Sequence, residues 1–470
     1  MTNWMPNLSD GSGPLYLRLA DRIEADITSG ALPVGVKLPP QRNLAFDIGV
    51  TIGTVGRAYA LVRERGLVSG EVGRGTFVLG GAQPEKPQAA ELPEPFGGTR
   101  QEPASPGAVR MDGTAAPDVG QGRTVERTIA EITRTGMEQV LDYTRITPQH
   151  WREAGARWLA RGGFTPAAQT VVPTIGVHAG VLSIIAAITS PGDRIAFEPL
   201  TYSSIARSGQ LMGRRSVVMG ADQHGADPED FERLCSQQHP KLAFLIPSLQ
   251  NPTLTIMPEG RRREIAEVAR KFNVWLVEDM IYGALLDEQP PTIASIAPER
   301  TFLVSGLAKT VSAGARGGWV ACPSHFASSV QTSHKMLTGG IPFLLAELCA
   351  RLVLSGEADA VRSDVKAEIA AREALARRHF SGLDFASRPE APYLWMRLPD
   401  PWLSGMFKQA AAAEGVLIDD EDEFKPGRTD ITHHRARIAF SIPRTREEVE
   451  RAFSTLRRLL DSSACYDSYG

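Results

Sequence analysis

The sequence predicts an α/β protein in two bodies: a small helix-turn-helix module over residues 13–80, and a mostly parallel sheet covered by helices within residues 110–470. Three observations carry that expectation. Near the N-terminus, three short helical stripes run into a glycine-punctuated hairpin. Residues 81–109 hold six prolines and almost no aliphatic run. From about Val140 onward, short apolar runs alternate with helical ones.

A chain of 470 residues can bury more than one core. Its net charge of −3 gives no global field for nucleic acid or membrane, so such a partner must be met by a local patch. The opening MTNWMPNLSD has neither a basic nor an apolar region, so no signal peptide is expected. No apolar run approaches the roughly 18 residues that span a bilayer. Cys235, Cys322, Cys349 and Cys465 are scattered without CxxC spacing, so neither a disulfide framework nor a zinc site is expected. The expected location is cytoplasmic, with reduced thiols.

In the module, Leu15, Leu19, Ile23 and Ile27 recur every four residues and predict one amphipathic helix, ended by Gly30. A second helix is predicted from Gln41 to Ile48, stopping at Gly49. Thr51 can cap a third, with Ile52, Val55, Tyr59 and Val62 facing inward. GEVGRGTFVL then predicts a hairpin in which glycines on both sides of Arg74 carry its guanidinium outward. The module has eight Lys/Arg against six Asp/Glu, with Arg42, Arg57, Arg63, Arg65 and Arg74 placed where a duplex would lie. A helical protein-interaction module fits the pattern as well. Residues 81–109 cannot bury enough apolar surface to order themselves and read as a semi-stiff spacer.

In the large body, strands are expected at Thr170–Pro173, Ile195–Phe197, Ser216–Met219, Leu242–Ile246, Val274–Glu278, Thr301–Val304 and Trp319–Ala321. The chain after Ala321 is helix-rich and closes with β segments at Tyr393–Leu398 and Ala436–Ser441 and a helix at Thr445–Leu460, the make-up of a smaller α+β subdomain. Polar residues gather at strand ends, where open α/β sheets place ligands. One strand runs into PSLQNPT, where Asn251 is held by Pro252; the next ends in Asp279, followed by Tyr282; a third leads to Lys309 and then Arg316. A desolvated lysine suits Schiff-base chemistry, and an acid at an apolar strand end calls for a cation. Taken singly, Asn251-Pro252 is a turn, Asp279 a helix cap and Lys309 with Arg316 a surface pair. Adjacent His433 and His434 have no carboxylate or cysteine spacing around them and read as a polar loop, with no metal expected.

The stretches PLYLRLADRIEADITSGAL, VKLPPQRNLAFDIGVTIGTVGRAYALVRERGLV and GRGTFV together resemble the winged helix-turn-helix domain of the GntR family. That resemblance implies the Thr51–Arg65 helix in the major groove, with Thr51, Thr54, Arg57 and Arg42 contacting DNA and Arg74 and Gly75 of the wing on the backbone or minor groove. Gly53 and Gly56 inside that helix depart from good helix formers and imply a close approach there.

Asn251, Asp279, Tyr282, Lys309 and Arg316, in that order and spacing, resemble the aspartate aminotransferase superfamily of pyridoxal 5'-phosphate (PLP) proteins. The resemblance implies that Lys309 forms the internal aldimine, Asp279 pairs with the pyridinium nitrogen, and Asn251 and Tyr282 bond the phenolic oxygen. Tyr202 would stack on the ring, and the phosphate would rest on the amides of Val177 and His178 and on Arg316. Arg437 matches the arginine that grips an α-carboxylate. Three positions depart from the pattern. Gly306 and Ala308 replace the usual hydroxyls, leaving Ser305 as the nearest stand-in, and Leu254 replaces a glycine after NPT.

The two resemblances joined by a proline-rich linker resemble the MocR subfamily of transcription regulators. This implies a homodimer that binds operator DNA and senses PLP or an amino compound by aldimine exchange at Lys309. The alternative is a working aminotransferase carrying an accessory DNA-binding domain; a PLP-free scaffold is a third reading.

Overall fold

The computed structural model describes residues 4–8, 13–71, 75–79, 107–427 and 431–462. The chain divides into two compact units, residues 1–97 and 98–470. Residues 81–106 of the proline-rich stretch, Arg74 of the wing and Cys465 lie outside the described residues.

The first unit contains α1 (Leu15–Thr28), α2 (Gln41–Asp47) and α3 (Ile52–Glu64), then β1 (Val68–Glu71) and β2 (Gly75–Val78). The two strands pair antiparallel, Val68 opposite Val78. Leu19, Ile23, Leu44, Val55, Ala58, Tyr59, Val62 and Val68 are buried together, and the Tyr59 hydroxyl donates to the Pro39 carbonyl at 2.8 Å. Ile52 does not join them as expected: it is 54% exposed. It sits at the first position of α3, and the buried stripe begins one turn later at Val55 and includes Ala58 instead.

The second unit holds a seven-stranded sheet. In spatial order its strands are Val171–Thr174, Gly318–Ala321, Thr301–Gly306, Trp275–Asp279, Leu242–Leu245, Arg194–Phe197 and Arg215–Val218. Only Gly318–Ala321 runs against its neighbours; the other pairings are parallel. The interior strands are buried on both faces, which is why they appear in the sequence as continuous apolar runs rather than as alternation. A second sheet of five strands follows the order Phe385–Ala386, Tyr393–Arg397, Arg435–Ala439, Val416–Asp420 and Val109–Met111. Val109, expected as the last linker residue, is thus already paired in a strand, opposite Val416.

The expected hydroxyl losses before Lys309 have a steric origin at one position. Gly306 and Gly318 are partners across adjacent strands. A Cβ at Gly306 would fall well inside van der Waals contact of the Gly317 carbonyl oxygen and 3.2 Å from Gly318 Cα. A Cβ at Gly318 would lie 2.7 Å from the Gly176 carbonyl carbon. Glycine is therefore required where these backbones meet. Restoring the usual hydroxyl with Gly306→Ser is expected to lower stability by about 1–3 kcal/mol, the range for overpacking. Urea denaturation of the full chain measures this, and an unchanged midpoint would show that the strands can separate freely.

Candidate functional site

The strand ends of the seven-stranded sheet open into a cavity of about 230 Å³ lined by Thr114, Val177, His178, Tyr202, Asn251, Asp279, Tyr282, Lys309, Arg316 and Arg437. These residues come from seven separate stretches of the chain, and the fold brings all of them together. Ser305 is not among them: its hydroxyl donates to the Met280 carbonyl at 3.2 Å inside the sheet, so it does not replace the hydroxyls absent at 306 and 308.

At one end, Gly176 at φ 90° starts the helix Val177–Ile188. The first amides of a helix have no intrahelical acceptor and favour an anion. The Arg316 guanidinium packs over this turn; a Cβ on Gly176 would touch its Cζ at 3.6 Å. Arg316 itself adopts φ 51°, a left-handed conformation rare for a side-chain-bearing residue. It has no carboxylate partner among the described residues. Burial and the nearby Arg316 lower the His178 pKa, and its buried Nδ1 has no hydrogen-bond partner. The Tyr202 ring meets the His178 ring edge-on, centroids 5.9 Å apart.

At the other end of the cavity, Lys309 Nζ donates to the Thr114 carbonyl at 2.6 Å and lies 5.8 Å from the Tyr282 ring centroid. The Tyr282 hydroxyl is bonded to Thr114 Oγ1 at 2.7 Å. Asp279 accepts from the Ile281 N–H at 2.9 Å. Burial pushes its pKa up to about 7, against the opposing effects of that N–H and of Lys309. Asn251 Oδ1 accepts from Arg437 Nη1 at 2.8 Å, which leaves the amide donors of Asn251 to face a ligand. Leu254 takes the glycine-like conformation at φ 66° while its side chain is buried, so core packing offsets the backbone strain.

Three contributors carried no signal in the sequence. Thr114 lies beyond the proline-rich stretch with no motif around it. Asp419 sits in the run LIDDEDEF, which reads as a solvated acidic face. His334 accepts from the Ile175 N–H ahead of the turn at Gly176 at 3.1 Å, and burial lowers its pKa to about 4.

In the first unit, Thr51 caps α3 by accepting from the Thr54 N–H at 3.2 Å, and the two hydroxyls are 2.9 Å apart. Thr51, Arg42, Arg57 and Arg63 are exposed. Arg65, grouped with them from the sequence, is engaged instead by Asp21 at 2.8 Å and Glu24 at 2.5 Å. Gly56 accommodates α2, since a Cβ there would stand 3.3 Å from Gln41 Oε1, whereas Gly53 is exposed and uncrowded. Gly75 begins β2.

The raised Asp279 pKa has a direct consequence for stability. An acid with a raised folded-state pKa stabilises the fold below its unfolded value near 4 and loses that contribution as pH rises toward about 7. In protein without ligand, the stability of the wild type relative to Asp279→Asn is expected to fall between these limits, by at most about 1.4 kcal/mol per pH unit. Urea denaturation at a series of pH values checks this; a difference that does not vary with pH rules Asp279 out as the titrating group.

Residues 113–456 match the family of class I and II aminotransferases, and residues 15–78 match the bacterial regulatory proteins of the gntR family. The uncharacterized HTH-type transcriptional regulator YdeF of Bacillus subtilis is 28% identical over 98% of this chain and 97% of its own length. The uncharacterized HTH-type regulator YjiR of Escherichia coli is 26% identical over 82% and 86%. Among solved structures, the α-aminoadipate aminotransferase LysN of Thermus thermophilus superposes with a TM-score of 0.68 at 19% identity, covering 75% of this chain and 92% of that one. Class I and II aminotransferases imply PLP as the cofactor, and the residues present fit it. Among the described residues Arg316 has no carboxylate partner over a helix start, Asp279 is a buried acid at a strand end, and Lys309 reaches the same cavity. The chain belongs to the class I and II aminotransferase family and carries a GntR-type helix-turn-helix at its N-terminus, the MocR-like architecture of a DNA-binding transcription regulator fused to an aminotransferase-like domain.

Proposed function

We propose that this protein is a cytoplasmic, homodimeric transcription regulator that senses PLP or an amino compound through amine exchange at Lys309. The observation that carries this reading is the convergence of Lys309, Asp279 and Arg316 on one cavity in a chain that also presents Thr51, Arg42 and Arg57 on a helix-turn-helix. Bound PLP supplies an aldehyde carbon that condenses reversibly with primary amines. Arg316 with the Val177 and His178 amides would hold the phosphate. Asp279, once anionic, would hold a proton on the ring nitrogen, the Asn251 amide and Tyr282 hydroxyl would bond the ring oxygen, and Tyr202 would lie beside the ring. Lys309 would hold the group through its amine, the position at which an incoming primary amine would compete with it.

Exposed Met137, Leu141, Tyr143 and Ile146 on one short segment support the homodimer, because an apolar stretch of this kind favours burial against a partner. On the DNA side, Arg42, Thr51, Thr54, Arg57 and the wing residues Arg74 and Gly75 form the proposed contact set. A ligand alters DNA binding only by the free energy with which it prefers one arrangement of the two bodies.

PLP-treated wild type is expected to keep a visible absorbance band through dialysis and to retard DNA from its own upstream region selectively at moderate salt. Lys309→Ala is expected to lose the band. Failure of selective retardation defeats the regulator reading. The retained Lys309 and Asp279 pair favours a second reading, a working aminotransferase; multiple-turnover transamination together with only non-selective DNA binding would establish it.

A further inference from the structure

Arg437 lines the cavity, yet its bonding capacity is largely used. It lies on the strand Arg435–Ala439 opposite Asp419 of Val416–Asp420, its partner across the sheet. Nη2 donates to Asp419 Oδ2 at 2.5 Å and to the Asp112 carbonyl at 3.2 Å, and Nη1 donates to Asn251. The rings of Phe424 and Tyr393 lie against the guanidinium, with centroids 4.8 and 5.3 Å away. Arg437 and Asp419 are 0% and 2% exposed.

A guanidinium grips a carboxylate through two parallel N–H bonds. Both forks that can do so, Nη1 with Nη2 and Nε with Nη2, require Nη2, and both hydrogens of Nη2 are committed here. Nε, buried and without a hydrogen-bond partner, can offer only a single bond. The local charge is also balanced. Arg110 pairs with Asp112 at 2.6 Å and lies in the field of Asp419, so Arg110 and Arg437 stand against Asp112 and Asp419. The other cations lining the cavity are Lys309 and Arg316, which under the proposed function serve the amine exchange and the phosphate. A ligand carboxylate at Arg437 would put two buried anions on one guanidinium and break hydrogen bonds on both sides, an arrangement strongly disfavoured away from water.

We propose that this pocket selects primary amines without an α-carboxylate, such as amines, amino alcohols and amino amides, and that Asp419 sets the preference by occupying Arg437. The inference rests on the proposed role of Lys309 and PLP. It reverses the expectation from sequence resemblance that Arg437 receives an amino-acid carboxylate.

The test titrates PLP-loaded full-length protein with glycine, glycinamide and ethanolamine, compounds small enough to remove side-chain fit from the comparison, and follows the visible band. Wild type is expected to half-saturate at concentrations about tenfold or more lower with the two compounds that lack a carboxylate than with glycine. In Asp419→Asn the glycine-to-glycinamide ratio is expected to fall at least about tenfold, and comparing ratios between proteins cancels the unequal basicity of the amines. Equal or tighter response of wild type to glycine, or a ratio unchanged in Asp419→Asn, overturns the proposal. A second readout needs no cofactor: with inorganic phosphate held at saturation so that Arg316 and the helix start are occupied, acetate, compared with acetamide, is expected to raise the melting temperature of Asp419→Asn and not of wild type, and acetate stabilisation of wild type under that condition overturns the proposal. If Asp419→Asn does not fold, the wild-type arms still decide. A protein that gives no PLP band defeats the proposed function, while the acetate arm still decides the occupancy of Arg437.

Discussion

The close approach of three backbones at Gly176, Gly306 and Gly318 is the constraint on which the cavity depends. The strand Gly318–Ala321 runs antiparallel between two neighbours, so the chain must turn back between Gly306 and Gly318. That return carries Lys309 and Arg316. Because Gly318 packs against the carbonyl carbon of Gly176, the return loop lies directly against the start of the helix Val177–Ile188. A Cβ at Gly318 would collide with the Gly176 and Val177 backbone, so the loop carrying Arg316 could not keep this approach to the helix start. The missing hydroxyl at 306 follows from the same packing: the position is closed to any side chain.

The strand Trp275–Asp279 shows how one element divides structural and functional charge. Successive side chains on a strand point to opposite faces. Glu278 turns one way, accepts from the Ile293 and Ala294 amides at 3.1 and 2.8 Å and pairs with fully buried Arg262 at 3.5 Å. Burial raises its pKa, while Arg262 and the two amides act against the shift. Asp279 turns the other way, into the cavity, with one backbone donor and Lys309 nearby. Both acids are equally buried, but Glu278 is locked by a partner that fills a core position, whereas Asp279 retains the electrostatic capacity to receive a cationic ring.

Much of this was legible in the sequence because buried parallel strands leave continuous apolar runs whose ends mark the ligand edge. Asp279 ends such a run, Asn251 and Lys309 lie in the turns just after two others, and Arg316 lies in the loop that follows Lys309, so one-dimensional spacing located them. The strand Val109–Met111 was not legible: its three residues carry no periodicity, and their partner lies some three hundred positions away in the chain. Ile52 was misplaced because a helix's first turn projects beyond the core that its later turns cover. Arg65 was misread because a basic residue near a basic cluster gives no hint of the two acids on α1 that engage it. Ser305 has a hydroxyl at a plausible spacing, yet strand alternation turns it toward Met280.

Asp419 illustrates a deeper limit. An acid within DDEDEF has every local reason to be solvated, and only the register that sets it across from Arg437 makes it an internal counterion. A motif identifies the residue that can bind a carboxylate, but it does not reveal whether the protein already supplies one. In the proposed regulatory role that distinction sets the response. A domain that receives every amino acid through a free arginine would be saturated by the common ones, whereas an arginine neutralised from within leaves the amine and the rest of the molecule to decide which ligand shifts the equilibrium.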